Sequence, residues 1–364
     1  MIQQLRQEID KIDNQILTLL SQRMEVVKQI GEEKRSTQTA IYRPDREREI
    51  LERLFNLNAM HSNSLLNKEA IEAIYMEIFA VSRNLELPER IAYLGPLGSY
   101  THQAAESRFG AMSHYLSMNH IGAVFKSVET KCAKYGVVPI ENNKNGAVGE
   151  TLDALANTSL KIVAEVILPI HHSFATLAES LHSIKRIYSK DIAFGQCLTF
   201  LNEYNLAEVE RIPVDSTAKA AQLAKNDPES GAICSHIAAN LHALPVLFEH
   251  IEDISNNKTR FVIISDFKNQ PSDADKTSLA VDLANTDKPG VLACFLEDIR
   301  KLGINMTKIE SRPKTGGKDF EFHFFIDFDG HIDNPHIQSF MQLHQDKVKW
   351  LGSYVKATGI PLVL

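Results

Sequence analysis

Arg23 stands where a helix should carry a hydrophobic residue. Ile2, Leu5, Ile9, Ile12, Ile16 and Leu19 recur at steps of three and four, the pattern of a helix with one buried seam. The same rhythm runs on through Arg23, Val26, Ile30 and Lys34. An unpaired buried cation is costly. Either Arg23 has an acidic partner or lays its stem along the core, or an anionic ligand comes to meet it. Arg23 and Lys34 lie about 20° apart around a helix and face one way. Arg6 is turned roughly 100° from Arg23 and is on the order of 25 Å away along the axis. One straight helix cannot aim both arginines into one pocket, but an antiparallel second copy could supply Arg6. Downstream, Glu47 extends the row of Ile50, Leu51 and Leu54, with Arg46 beside it, and Tyr75, Phe79, Ser82 and Glu86 share a helical face. Cations, a hydroxyl and two carboxylates together suit a compact dianion that bears a hydroxyl.

Three more polar motifs fall where strands should end. GPLGSYT (Gly95 to Thr101) sets backbone and hydroxyl donors before a helix, an anion-friendly arrangement that brings in Ser99, Tyr100 and Thr101. VVPIENNKNGAV places Glu141 and Asn142 just after an apolar run, and NKTRFVII places Thr259, Arg260 and Phe261 at the start of another. Strand propensity and a structural ion pair would also explain Thr259 and Arg260. Near the C-terminus, KPGVLACFL and IESRP pair a helix start at Gly290 with a strand end at Glu310–Arg312.

The elements that position these residues form three blocks. Residues 1–88 read as helix almost throughout, with Pro44 suited to a first helical turn and Pro88 a stop. From Ile91 to Phe267, short β-rich runs alternate with helical ones, the pattern of a mostly parallel α/β sheet with ligand sites at strand ends. KIVAEVILPIHHSFATL reads as a crossover between two such lobes, and FKNQPSDADK as a linker. The remainder reads β-α-β-β-α-β, the ferredoxin-like order.

The chain has 364 residues, 44% hydrophobic and 23% charged, which suits a soluble protein of two or three domains. A net charge of −7 without a basic run argues against nucleic-acid or anionic-membrane partners. No apolar run reaches membrane-spanning length, and the charged N-terminus is unlike a signal peptide. Cys132, Cys197, Cys234 and Cys294 are far apart, as reduced cytoplasmic thiols would be. His171-His172 lacks spaced cysteines or nearby acids, so no metal site is expected.

The segment LRQEIDKIDNQILTLLSQRMEVVKQIGEEK, followed by YRPDREREIL, resembles the helical chorismate mutase family over nearly the whole first block. The resemblance implies an all-α domain that rearranges chorismate to prephenate by positioning and electrostatics alone. It implies that Arg23, Lys34 and Arg46 grip the carboxylates and ether oxygen, with Arg6 from the partner chain of at least a dimer. Glu47 would hold the hydroxyl, and Ser82 and Glu86 would close the site. Arg43 stands where some members have an acid, and Glu86 where a glutamine can sit. If Glu86 must be protonated to donate, the mutase should favour lower pH.

Residues 91–267 are similar to prephenate dehydratase, which implies a two-lobed, periplasmic-binding-protein-like α/β domain converting prephenate to phenylpyruvate. Thr259 would donate to the leaving hydroxyl, Arg260 and Phe261 would complete its motif, and Glu141, Asn142, Ser189, Gln196, Asp215, Ser216 and Thr217 would line the cleft. Lys190-Asp191-Ile192 departs from a turn containing His and Pro in relatives. Gly290, Val291, Leu292 and Ala293 with Glu310, Ser311, Arg312 and Pro313 resemble the effector segments of ACT domains, an α+β ferredoxin-like module. Paired copies would enclose phenylalanine as an allosteric inhibitor.

These resemblances place the domains at 1–88, 90–267 and 276–364 and imply no cofactor. A fusion of the mutase with prephenate dehydrogenase would need a Gly-rich dinucleotide loop, and no GxGxxG occurs. A non-catalytic ligand sensor would not need the Thr259 motif or the cationic helix.

Overall fold

In the computed structural model, residues 1–37, 44–60, 65–86, 90–110, 113–283, 289–313 and 322–357 are described. Arg43 lies outside them, as does the side chain of Glu86. The chain divides into a helical unit and a larger second unit. No helix among the described residues is long and apolar enough to cross a membrane.

The helical unit contains α1 (Ile2–Thr37), α2 (Pro44–Ala59) and α3 (Lys68–Glu86). Pro44 opens α2, where its missing N–H costs nothing. Asn67 caps α3, its Oδ1 accepting the Ala70 N–H at 2.8 Å. The apolar seam read from the sequence is not covered within one chain. Its members from Ile2 to Leu19 are between 48% and 70% exposed. Farther along, Val27 and Gly31 are buried while Val26 and Ile30 are exposed, because α3 packs on the Arg23–Val27–Gly31 row. The seam through Val26 and Ile30 and the row facing α3 are therefore different stripes of one helix.

The second unit begins with β1 (Arg90–Leu94), α4 (Tyr100–Phe109), β2 (His114–Met118), α5 (Ile121–Glu129), β3 (Tyr135–Asn142), β4 (Gly146–Ala147), α6 (Gly149–Asn157) and β5 (Lys161–Pro169). The chain then crosses to a second lobe of β6 (Ser173–Thr176), β7 (Arg186–Ser189), α7 (Asp191–Gly195), α8 (Leu198–Glu203), β8 (Glu210–Pro213), α9 (Thr217–Ala224), β9 (Ser230–Cys234), α10 (His236–Leu241) and β10 (Val246–Phe248). It returns through β11 (Lys258–Ser265). The sheets run β2-β1-β3-β11-β5 and β10-β6-β9-β7-β8. Both are mixed rather than mostly parallel, because the returning β11 lies antiparallel to β3 and β5, and β6 antiparallel to β9 and β10. The two crossings pair with each other, Ile170 N–H to Asn257 O at 2.8 Å and Ile251 N–H to His172 O at 3.0 Å. They form a two-stranded hinge between the lobes.

The ferredoxin-like module follows as β12 (Asp275–Asp282), α11 (Val291–Lys301), β13 (Met306–Pro313), β14 (Phe322–Asp329), α12 (Pro335–Leu343) and β15 (Val348–Val355), with sheet order β13-β14-β12-β15. One face of this sheet packs Leu279, Val281, Ile326 and Phe328 against Phe295, Ile299, Ile337 and Phe340 from its two helices. The other face shares a core with the first lobe: Ala280, Phe325, Leu351 and Tyr354 join Ala92, Val138, Ile162 and Val262. The expected linker is consequently tied down. Asn269 Nδ2 donates to Val163 O at 2.8 Å and Ser353 O at 2.9 Å, and Ser272 Oγ donates to Asp275 Oδ1 at 2.7 Å.

Candidate active sites

A cleft of 510 Å³ opens between the two lobes of the second unit. Its floor is the start of β11 and the end of β3, where Thr259 pairs with Asn142. The Asn142 amide fixes the hydroxyl. Its Oδ1 accepts the N–H groups of Lys144 and Asn145 at 2.9 and 3.0 Å, so its Nδ2 must point the other way. Nδ2 donates to Thr259 Oγ1 at 2.9 Å and to Asn257 Oδ1 at 2.8 Å. Since Thr259 Oγ1 accepts from Asn142, its own hydrogen remains available to donate into the cleft. Phe261 and Pro139 supply an apolar surface beside it.

Two helix starts face this floor. Ser99, Tyr100 and Thr101 lie where α4 begins, and Ser99 Oγ accepts the His102 N–H at 3.3 Å. Asp215, Ser216 and Thr217 lie where α9 begins, and Ser216 Oγ accepts the Lys219 N–H at 3.1 Å. N-terminal N–H groups favour anions, and each lobe turns one such end toward the cleft. Lys190 adds a cationic side chain from the second lobe.

A buried polar chain forms the hinge-side wall. Tyr100 Oη donates to His171 O at 2.6 Å and lies 3.2 Å from His172 Nδ1, while His172 Nε2 lies 2.8 Å from Gln196 Oε1. Burial pushes the Tyr100 phenol well up and the His172 imidazole down from their ordinary values. Both are neutral near pH 7, so this wall orients rather than carries charge.

Three residues expected in the cleft are elsewhere. Glu141 and Arg260, paired across β3 and β11, face the opposite side of the sheet. There Arg260 donates to Glu165 (2.7 Å), Asp327 (2.8 Å) and the Tyr354 hydroxyl (2.7 Å), and Glu141 meets Lys308 Nζ at 2.7 Å. Strand alternation dictates this: with Thr259 and Phe261 toward the cleft, Arg260 must point away. Burial works against the Arg260 charge, but Tyr354, Asp327 and Glu165 more than offset it and raise its pKa well above normal. Ser189 is fully buried, its Oγ donating to Ile233 O at 2.8 Å. Sequence reading missed His172, Lys190, Asn145 and Asn257 as lining residues. The sequence signal for Asn257 was its place two residues before Thr259.

In the helical unit, Arg23 Nη1 donates to Ser82 Oγ at 2.6 Å and the guanidinium lies over Phe79, 6.0 Å from the ring centroid. Glu47 is buried in an ion pair with Arg83. Arg83 was missed, although it extends the Tyr75–Phe79 row by one helical turn. Lys34 is half-buried. Arg46 is not drawn in: its side chain is 65% exposed and pairs with Glu49 at 2.8 Å, one turn along its own helix. Arg6 is exposed on the uncovered part of α1.

In the ferredoxin-like module, Gly290 caps α11 with φ 87°, a left-handed conformation that favours glycine. Register carries Arg312 to His323 and His323 to Asp282, so Glu310–Pro313 and the start of α11 share one end of the sheet. Gly290, Ala293, Ser311 and Pro313 are exposed there, beside half-buried Val291 and Leu292. Arg312 is a correction: its guanidinium reaches Asp153 on α6 at 3.3 Å, on the sheet face that also carries Glu310.

Residues 91–269 match the prephenate dehydratase family model, and residues 5–87 that of chorismate mutase type II. The chain is 40% identical to a bifunctional chorismate mutase/prephenate dehydratase of Aquifex aeolicus, over 98% of each chain. It is 39% identical to that of Neisseria gonorrhoeae, over 97% of this chain and 96% of the relative. A solved Arthrobacter aurescens prephenate dehydratase in complex with L-Phe is similar at 33% identity and a TM-score of 0.68, covering 75% of this chain and 92% of that one.

Proposed function

This chain belongs to the bifunctional chorismate mutase/prephenate dehydratase family, and on that premise we propose which residues carry each reaction and how they are governed. The protein converts chorismate to prephenate and prephenate to phenylpyruvate. Residues 1–88 are assigned to the mutase, 90–267 to the dehydratase and 276–364 to an ACT regulatory domain.

The observation that carries the dehydratase assignment is the Asn142–Thr259 pair. In prephenate, loss of the ring carboxylate as carbon dioxide supplies the electron pair that expels the C4 hydroxyl, and the ring becomes aromatic. The departing oxygen gains negative charge as its bond breaks. Thr259, whose hydrogen is left available by the bond from Asn142, donates to that oxygen, and the starts of α4 and α9 with Lys190 hold the carboxylates.

The mutase site is built around Arg23, with Lys34, Ser82 and the Glu47–Arg83 pair. No proton transfer is required. Fixed cations hold the substrate's carboxylates and stabilise the ether oxygen as its bond lengthens. The uncovered seam of α1 supports a homodimer in which a second α1 covers the apolar row and brings its Arg6 to this pocket. Mixing tests this reading. Arg6→Ala and Arg23→Ala chains, each inactive as a mutase, should recover activity when refolded together, because every mixed dimer holds one pocket with both arginines intact. Absence of recovery in demonstrated heterodimers would remove Arg6 from the shared site.

Phenylalanine inhibits the dehydratase from the exposed end of the ferredoxin-like sheet, completed by a second copy. Coupling runs through Arg260, next to Thr259 in β11 and held by Asp327 and Tyr354 of the regulatory module. Gly290→Asn adds a side chain that tolerates the left-handed backbone. It should raise the phenylalanine concentration for half-inhibition by about tenfold or more, within the usual range of allosteric coupling, and leave uninhibited turnover unchanged. Unaltered inhibition would put the effector elsewhere. The protein acts in the cytoplasm on this reading, as its reduced cysteines suit.

A further inference from the structure

The hinge between the dehydratase lobes carries a cluster that neither reaction uses. His171 comes from the first crossing, and His250 and Glu252 from the second. Their ligand atoms all lie within 4.8 Å of one another. His171 Nδ1 is 2.6 Å, and His250 Nδ1 3.8 Å, from the same Glu252 oxygen, and the two imidazoles meet edge to face at 4.3 Å. No acid stands near His171-His172 in sequence; the pairing of the crossings supplies one from about eighty residues away.

We propose that His171, His250 and Glu252 form a zinc-binding site that ties the two hinge strands together. Two imidazoles and one carboxylate are a common borderline-soft set for zinc, with ligand distances of about 2.0–2.2 Å. Around a tetrahedral ion such atoms stand roughly 3.4 Å apart, between the two separations seen here, so small side-chain rotations would admit the ion. The carboxylate is prepared for the task. Glu252 is 3% exposed at its side chain, and its second oxygen accepts the His172 N–H at 2.8 Å, which fixes its orientation as an outer-shell bond does in metal centres. Burial pushes this carboxyl up, but the His171 bond and the His172 N–H outweigh it and hold it below its ordinary value, hence anionic. His250 adopts a left-handed φ of 53°, uncommon outside glycine, at the point where its ring meets His171. With its side chain 63% exposed, it leaves the ion a route in and a fourth position for water.

Because the ligands come from both crossings, a bound ion would cross-link the two segments that join the lobes. The site is separate from the reacting atoms and does not depend on their assignment.

The test uses the metal-free full-length protein and zinc chloride in isothermal titration calorimetry. One ion per chain is expected, with affinity about 10- to 100-fold weaker in His250→Ala, a loss on the scale of altering a zinc ligand's surroundings or more. Dehydratase turnover of metal-free His250→Ala should equal that of the parent, which shows that the variant is folded. Cobalt(II) supplies a second readout. Tetrahedral visible bands without a thiolate charge-transfer band place the ion on imidazole and carboxylate, whereas a thiolate band assigns it to the cysteines and overturns the proposal. Absence of saturable binding, or equal affinity in parent and His250→Ala, would overturn it as well.

Discussion

Thr259→Val should leave a folded protein that still makes prephenate but hardly consumes it. Valine keeps the branched shape and strand preference of threonine and deletes only the hydroxyl. That hydroxyl is the donor that Asn142 leaves free to face the cleft. The expected loss in dehydratase kcat is about 100- to 1000-fold, the scale of removing one preorganised donor to a developing oxyanion. KM for prephenate should change much less, because the bond strengthens as the C–O bond breaks. Phenylpyruvate formation from supplied prephenate gives the first number, and chorismate consumption the control. Turnover within a few-fold of the parent would place the donor elsewhere. Ser189 is not the substitute, since its hydroxyl is buried and committed to Ile233. Tyr100 and Ser99 at the start of α4 would be examined next.

Arg23→Ala should do the reverse. The guanidinium that bonds Ser82 and lies over Phe79 is a fixed cation in a half-buried place. Its removal should cost the mutase about two orders of magnitude or more. Dehydration of supplied prephenate should stay near the parental rate, because the dehydratase assignment rests on residues of the second unit. Loss of both activities in a protein with unchanged circular dichroism would end the separation of sites. An unchanged mutase would make Arg23 a packing residue.

The sequence made the three blocks legible because each has its own periodicity: 3.6 in the first, alternating strand and helix in the second, β-α-β-β-α-β in the third. It also brought out the Arg23 anomaly and the strand-end motifs. What it hid was facing. At Glu141-Asn142 nothing local says which residue looks into the cleft. The answer depends on a bulge that skips Ile140, so that Pro139 and Asn142 both line the cleft while Glu141 turns away. Arg260 and Arg312 were read as ligand-binding because an arginine in a motif looks the same whether it grips a substrate or another domain. Only the packed sheet face shows that Asp327, Tyr354 and Asp153 hold them. The buried Glu47–Arg83 pair and the His171–His250–Glu252 cluster join residues 36 and about 80 positions apart, and no spacing rule reaches that far. The seam of α1 was read correctly as apolar, yet a single chain leaves it exposed.

The core that the ferredoxin-like sheet shares with the first lobe bears on how such a protein can change over evolutionary time. A regulator hung on a free tether can be lost by a stop codon, leaving an unregulated enzyme behind. Here, cutting the chain before Asp275 would strip Ala280, Phe325, Leu351 and Tyr354 from the same cluster as Val138, Ile162 and Val262. It would also leave Arg260 and Glu165 without their cross-domain partners Asp327, Tyr354 and Lys276. The truncated enzyme would expose an apolar sheet face and strand buried charges, a combination that favours aggregation over deregulation. On the proposed reading of this module as the phenylalanine regulator, escape from end-product control should come through point substitutions, and overproducing strains should carry missense changes in this module rather than deletions of it.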